Sequence, residues 1–510
     1  MRVKKILCFF IILCITAGFT GCFNRIPGKI WKNPNLEGIY RFADVMIGKT
    51  GMEDWNENKV LTRVTWQKLR LSDYHSSVYP ELAAAFYQYN EKSSTEAKAL
   101  MYEFSSITQE MEWNEFNPAH CEAEAKLYLQ RADESVVSLL ESVYSYSGGV
   151  HPNYYVNGIN YNTKTGKKTA LSEVIKDTKK LPSVLSKKIT EKYADVTFFN
   201  LEDTFSKYRE EDFTWTIDYQ GITFWFSPYE IAAYAVGTLS ARLWFDEFPD
   251  MFNEEYKNTP ENYVVTLPTG HEIDFDLLEP DGKKDKIYIE KTADDYGSYY
   301  MLSVTVNGKT YTDEMSYAYD YDVYLAHIGG KNYIYSDAVS DNDYHIFATW
   351  DINGETPEIT DELQGTEVDC EFIEEGFEEG TVYRQCFNNP ESIKLETRFN
   401  ILGTRGATAY YRLNETDGKP EMTDKAYTFN EGHDVVTSVP LKAEILPKME
   451  ETELPSGTSL TPHQTDGKTF VDLTREDGEV VRLLIEVSDW PRKVNGMPED
   501  ECFEELFYAG

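Results

Sequence analysis

The sequence predicts an α+β N-terminal module followed by an all-β region, sandwich or propeller-like, with a small SH3-like barrel at its C-terminal end. Three observations carry this. Apolar residues Leu82, Phe86, Tyr89, Leu100 and Phe104 recur at helical spacing inside 79–113, between strand-like runs. After about Asn258 the helical period fades, and turn dipeptides recur between short Tyr, Val and Ile runs: Asp281-Gly282, Asn307-Gly308, Gly329-Gly330, Asp417-Gly418 and Asp477-Gly478. At 510 residues the chain has length for about three domains with real cores.

The elements follow in order. Arg2, Lys4 and Lys5 precede an apolar run from Ile6 to Phe19, so 1–21 reads as a secretory signal, too short for a comfortable membrane span. It ends Phe19-Thr20-Gly21-Cys22, a bacterial lipobox pattern with Phe19 where Leu, Val or Ile is usual. Lipidation of Cys22 is expected, which anchors the chain by two acyl chains on the extracellular face of the cell membrane. Residues 22–58 read as a tether. The α+β module, 59–258, holds a strand at 60–71, the helix at 79–113, and strands near 122–131, 136–146 and 154–161. A polar helical stretch at 172–193, a hairpin at 213–226 and a strand at 242–245 complete it. A β-rich domain spans 259–430, and a small barrel-like domain spans 431–510.

Charge narrows the partners. Asp+Glu number 87 against Lys+Arg 49, a net charge of -38. A nucleic-acid binder needs a basic footprint, so nucleic acid is excluded as a partner. Removing the three basic residues of the signal leaves 46 against 87, a mature net charge of -41. Four cysteines remain after the signal and Cys22: Cys121, Cys370, Cys386 and Cys502. They are too few for a disulfide scaffold. Cys370 and Cys386 either bridge a hairpin-like segment or stay free.

Two segments carry a resemblance. Arg131-Ala132-Asp133-Glu134-Ser135 leads into Tyr146-Ser147-Gly148-Gly149-Val150-His151-Pro152, and further on stands Ser227-Pro228-Tyr229-Glu230-Ile231-Ala232-Ala233-Tyr234-Ala235-Val236-Gly237. Together they resemble the extracellular domain of the lysozyme-sensing anti-sigma-V factors, a domain also found beside peptidoglycan deacetylase domains. The resemblance covers roughly 60–255. It implies ligand binding outside the cell, with a cationic lysozyme as first candidate partner. Only five residues precede the apolar run, so signalling to a cytoplasmic sigma factor is not expected.

The candidate ligand-binding residues are Tyr146, Gly148, Gly149, His151, Pro152, Pro228, Tyr229 and Glu230. A His beside a glycine turn can orient a ligand, or can simply bond a backbone carbonyl while the glycines supply positive φ. Glu230 after Pro228 can act as an acid, or can serve as a carboxylate at a helix start. The stretch 276–285 partly matches a calcium loop through Glu279, Asp281 and Asp285, with Leu277 at the first ligand position; calcium is the one cofactor it suggests, and a plain β-turn is the simpler reading. No two of the eight His lie three or four residues apart, and GxSxG and SxxK do not occur. The expected function is a non-catalytic, lipid-anchored binding or sensing module for an envelope or host macromolecule, lysozyme or peptidoglycan-related. The alternatives are a carboxylate enzyme acting on peptidoglycan, or an accessory subunit of one, and an inert envelope spacer.

Overall fold

Strands β1 (Val45–Asn56) and β2 (Lys59–Leu71) form a long antiparallel hairpin, with Val45 opposite Leu71 and Asn56 opposite Lys59. The expected tether over 22–58 therefore ends in a strand. Gly48 and Gly51 masked it in the sequence, because glycine reads as loop. At Gly48 the reason is a close approach: a Cβ there would meet Thr381 Cγ2 at 2.6 Å and the Tyr383 ring at 2.8 Å. The computed structural model describes residues 42–56, 59–110, 120–277, 284–294, 299–373, 381–430, 432–488 and 490–508. The signal segment and Cys22 lie outside them. Among the described residues, no helix is long and apolar enough to cross a membrane.

After β2, Ser72 caps a short helix, α1 (Asp73–Val78), and α2 (Pro80–Glu110) follows. Of the residues whose helical spacing the sequence shows, Leu82, Phe86 and Phe104 are buried, with Ala97 and Thr108, while Tyr89 and Leu100 are half-buried. Asn90 pins α2 to β2: its Oδ1 accepts from Leu69 N–H and its Nδ2 donates to Leu69 O, both at 2.8 Å. The helix crosses back to β3 (Cys121–Ala132), which pairs parallel to β2 from Thr62 opposite Cys121. β4 (Val136–Tyr146) and β5 (Asn153–Asn162) continue antiparallel. On the far side, β1 pairs with Thr381–Gln385, which pairs with Cys370–Ile373, giving seven strands.

A second, three-stranded sheet of β6 (Thr214–Ile217), β7 (Gly221–Phe226) and β8 (Leu239–Trp244) leans on β5 at Gly158, where any side chain would run into the Trp215 backbone. Helices Leu181–Lys192 and Leu201–Ser206 contribute Leu185, Ile189 and Phe205 to its core with Ile222, Phe224 and Leu243. The helical stretch expected over 172–193 is broken into Leu171–Val174, a 3-10 turn at Thr178–Lys180 and Leu181–Lys192. Asp177 accepts from Lys179 N–H there, and Pro182 opens the next helix. The buried guanidinium of Arg131 ties the two sheets: it pairs with Asp133 at 2.5 Å and donates to the carbonyls of Asp218, Tyr256 and Asn258.

Beyond 258 the regular elements of the described residues are strands, apart from a 3-10 turn at Asp341–Asp343 and one helical turn at Glu499–Cys502, and the whole is mostly β, 51% strand against 18% helix. A four-stranded sheet contributes Ile287, Ile289, Leu302 and Val304, and a five-stranded sheet Val323, Leu325, Ile334 and Trp350, to one shared core. The other face of the five-stranded sheet packs Tyr324, Tyr333, Tyr335 and Phe347 on Ile393, Leu395, Ala409 and Tyr411. Burial on both faces explains the unbroken run Tyr333-Ile334-Tyr335. Strands Ile393–Asn400 and Thr404–Leu413 continue through Tyr427–Phe429 into Ser459–Thr465, one fourteen-stranded sheet curled into a half-barrel over Leu441, Leu460, Val471 and Leu483.

Two expected boundaries are thus crossed by hydrogen-bonded strands. The pairing of β1 with Thr381–Gln385 spans 258/259, and the curled sheet spans 430/431. The first joins Met46 to Gln385 and the second Tyr427 to Thr465, and neither pairing leaves a local pattern. A direct consequence concerns Gly48. Replacing Gly48 by Val should cost about 1–3 kcal/mol through overpacking at the Thr381–Gln385 strand. A chemical denaturation midpoint equal to that of the wild type would contradict this packing.

Candidate functional site

One face of the seven-stranded sheet is covered by α2, which packs on Val64, Trp66, Cys121 and Ala123 through Ala97 and Phe104. Side chains alternate along a strand. The opposite face of β3 therefore presents Glu122, Glu124, Lys126 and Tyr128. They line a cleft of about 920 Å³ with Lys49 of β1, Arg63 and Thr65 of β2, Ser142 and Tyr144 of β4 and Tyr154 of β5. One wall is Pro228 and the segment Tyr234 to Thr238, after β7. The other comes from the β-rich region: Thr269, Gly270, His271, Lys291, Tyr300, Tyr319 and Asp320.

Asp320 organises the charge. Its carboxylate meets Lys126 Nζ at 3.1 Å, Lys291 Nζ at 2.6 Å and Lys49 Nζ at 3.6 Å. Lys49 also lies 3.9 Å from Glu124. The opposing desolvation of this buried carboxylate is outweighed by the three ammonium groups, which hold it far below the usual carboxylate range. Burial, together with repulsion from Lys126, pushes Lys291 down. The charges lining the cleft nearly balance, Lys49, Arg63, Lys126 and Lys291 against Glu122, Glu124 and Asp320, in a chain whose net charge is -38. Six tyrosines line it: Tyr128, Tyr144, Tyr154, Tyr234, Tyr300 and Tyr319. Tyr144 donates to Glu122 at 2.7 Å and packs on Tyr154 with ring centres 5.3 Å apart.

The structure brings the two motif segments together at the rim of this cleft. His151 is exposed and stacks on Tyr234, ring centres 3.9 Å apart, and its Nδ1 lies 2.9 Å from the Pro152 carbonyl. Tyr234 donates its hydroxyl to that same Pro152 carbonyl. Tyr229, exposed and at φ 71°, packs on the other side of Tyr234 at 5.3 Å. Gly148, at φ 81°, and Gly149 form the exposed turn before His151, and Tyr146 ends β4 beside His120. Pro228 lines the cleft wall. Glu230 faces elsewhere: it accepts from Ser227 N–H at 2.8 Å and from the Tyr208 hydroxyl at 2.9 Å, and burial raises its pKa. Its carboxylate closes a turn, with no regular helix following.

Asp285 accepts from Leu277 N–H at 2.8 Å and from Asn307 Nδ2 at 2.7 Å, which is turn chemistry; Glu279 and Asp281 lie outside the described residues. Cys121, Cys370, Cys386 and Cys502 are free thiols. Three features of the cleft had no place among the sequence candidates. The alternation Glu122, Glu124, Lys126, Tyr128 is a period-2 signal visible in the sequence. Tyr234 sits inside the quoted motif. The convergence of Lys49, Lys126, Lys291 and Asp320 joins four distant segments and had no sequence signal. His271, which burial lowers to about 4, stands 3.4 Å from Ser142 Oγ, too long and too weakly basic to activate that hydroxyl.

Asp320 yields a test with a defined sign. Its folded pKa is depressed, so its stabilisation is complete above the ordinary carboxylate value of about 4 and is lost as pH falls below it. Asp320→Asn should lower unfolding free energy by about 3 kcal/mol at pH 7, because Lys126 and Lys291 are left without their anion. The gap between variant and wild type should narrow in denaturant titrations below about pH 4. A gap that stays constant down to pH 2 would contradict the arrangement.

Residues 163–246 match the family model described as a protein of unknown function, DUF3298. No curated protein matches the chain. Among solved structures, the chain is similar to a DUF3298 family member from Bacteroides fragilis, at 12% identity and TM-score 0.29, over 42% of this chain and 95% of that one. It is also similar to a DUF3298 family protein from Pseudomonas aeruginosa, at 13% identity and TM-score 0.30, over 42% of this chain and 96% of that one. The matched segment runs from the end of β5 through β8 and includes the wall that carries Pro228 and Tyr234.

Proposed function

We propose that the protein is a lipid-anchored, non-catalytic binding module of the cell envelope, and that the tyrosine-lined cleft is its binding site. The observation that carries the reading is the gathering of six tyrosines and three lysines in one cleft. Aromatic faces suit sugar rings, and ammonium groups around an already neutralised carboxylate suit a ligand that brings its own anion. That chemistry favours a peptidoglycan-related glycan carrying carboxylates. The mature net charge of -41 favours a second candidate, a cationic lysozyme, which the resemblance also suggests. Lysozyme would dock by surface charge, outside the cleft. A peptidoglycan-cleaving reading of this cleft needs a carboxyl kept protonated near neutral pH, a role that Asp320, held ionised, does not fill; Glu367, which burial raises to about 7, lies outside the cleft. The fold at the C-terminal end, read as a small SH3-like barrel, belongs to the same proposal as a spacer or a second binding surface.

Two experiments test the reading. Calorimetry of residues 23–510 with a soluble muropeptide should give binding that Tyr234→Ala or Lys291→Ala weakens at least tenfold, about 1.4 kcal/mol. Tyr102→Ser, an exposed position on α2, should leave it unchanged. Binding indifferent to Tyr234 and Lys291 would sink the cleft assignment, and lysozyme binding that vanishes at physiological salt would reduce that partner to net charge alone. Separately, the full chain should label with palmitate and partition with membranes, and Cys22→Ala should release it; a Cys22→Ala protein that stays in the membrane fraction contradicts lipid anchoring.

A further inference from the structure

A second constellation lies apart from the tyrosine cleft, where the five-stranded sheet meets Thr381–Gln385. His345 opens Tyr344–Asp351 and is 3% exposed. Its Nδ1 lies 2.7 Å from Oδ1 of Asp337, which is buried and also accepts from Val368 N–H at 3.0 Å. Nδ1–H therefore donates to a fixed carboxylate. Nε2 then carries the lone pair, an assignment made from its partners. It faces Asp343 Oδ1 at 3.4 Å and Glu367 Oε2 at 3.4 Å. The three ligand atoms lie within 4.8 Å of one another. One imidazole nitrogen and two carboxylate oxygens converge on a common spot, where an ion would take the place of a proton on that nitrogen.

Arg384 currently balances this charge. Its Nη2 lies 3.2 Å from His345 Nε2 and its Nη1 2.8 Å from Glu367 Oε2. The guanidinium does not satisfy the cluster: Glu367 Oε2 is buried yet finds no aligned donor among the described residues. The Arg384 side chain is 28% exposed and borders a cavity of about 420 Å³. Asp343 stands in a tight turn with Asn342, both at positive φ (54° and 58°), and is exposed, which leaves one side of the spot open to solvent.

We infer that Asp343, His345 and Glu367 form a divalent transition-metal site, for an ion such as zinc or manganese, with Arg384 as the cation that metal displaces. The gaps from Nε2 to the two carboxylate oxygens, 3.4 Å each, match ligands about 2.1 Å from one tetrahedral ion. The Asp337–His345 bond is the carboxylate that orients and enriches a metal-binding imidazole. Imidazole plus two carboxylates suits zinc or manganese better than calcium, which prefers six or more oxygens. Site and ligand class are independent of the glycan reading.

The test uses residues 23–510, stripped with chelator and dialysed against zinc or manganese. Wild type should take up one ion per chain, and cobalt loading should give visible absorption. Asp343→Asn, at an exposed position that leaves the fold intact, should weaken uptake at least tenfold, and Glu367→Gln should do the same. Arg384→Gln should tighten uptake at least threefold by removing the competing cation. Less than a tenth of an ion bound in both wild type and Arg384→Gln, or uptake that ignores Asp343 and Glu367, would overturn the proposal and leave the cluster as an ion-pair latch between sheets.

Discussion

One carboxylate, Asp320, sits where three layers meet. Its partners come from β1 and β3 of the seven-stranded sheet and from the four-stranded sheet, while Asp320 itself begins a strand of the five-stranded sheet. A buried lysine such as Lys126 is costly unless an anion meets it, so these layers cannot separate without exposing an unpaired charge. The same contact sets the cleft floor. It brings three lysines to one carboxylate beside the tyrosines that line the cleft.

Arg131 plays the corresponding part on the other side. Its donors reach carbonyls at 218, 256 and 258, and they fix the three-stranded sheet against β3. The loop after β7 is thereby carried to the cleft rim, where Tyr234 lies between His151 and Tyr229. The segments Arg131 to Ser135, Gly148 to Pro152 and Ser227 to Gly237 that stand out in the sequence thus act together. The first fixes the angle between the sheets, and the other two build the rim. Asp133 adds the local reason, accepting from Ser135 and Val136 N–H to turn β3 into β4.

Much of this was legible from the chain. The α2 stripe, the strands from β2 to β5 and the β texture after 258 have periodic patterns that depend only on near neighbours. The first strand was not, because Gly48 is chosen by a strand more than three hundred residues away. The strand pairings that cross 258 and 430 were not legible either, since strand pairing is blind to sequence separation. At the proposed site, His151 and Tyr229 stand in the motifs quoted from the sequence, and Glu122 to Tyr128 carried a readable alternation. The lysine and Asp320 cluster, and the Asp337–His345–Glu367 constellation, assemble residues that have no motif in common.

The cleft over β3 and β4, with its Tyr234 rim, is where this molecule is proposed to meet its ligand. Hydrogen exchange of residues 23–510, read peptide by peptide with and without a saturating soluble muropeptide, tests this most directly. Added protection is expected in peptides spanning 122–128, 142–156 and 227–238, with the curled half-barrel unchanged. Protection confined to the half-barrel, or binding that protects none of these three segments, would contradict it.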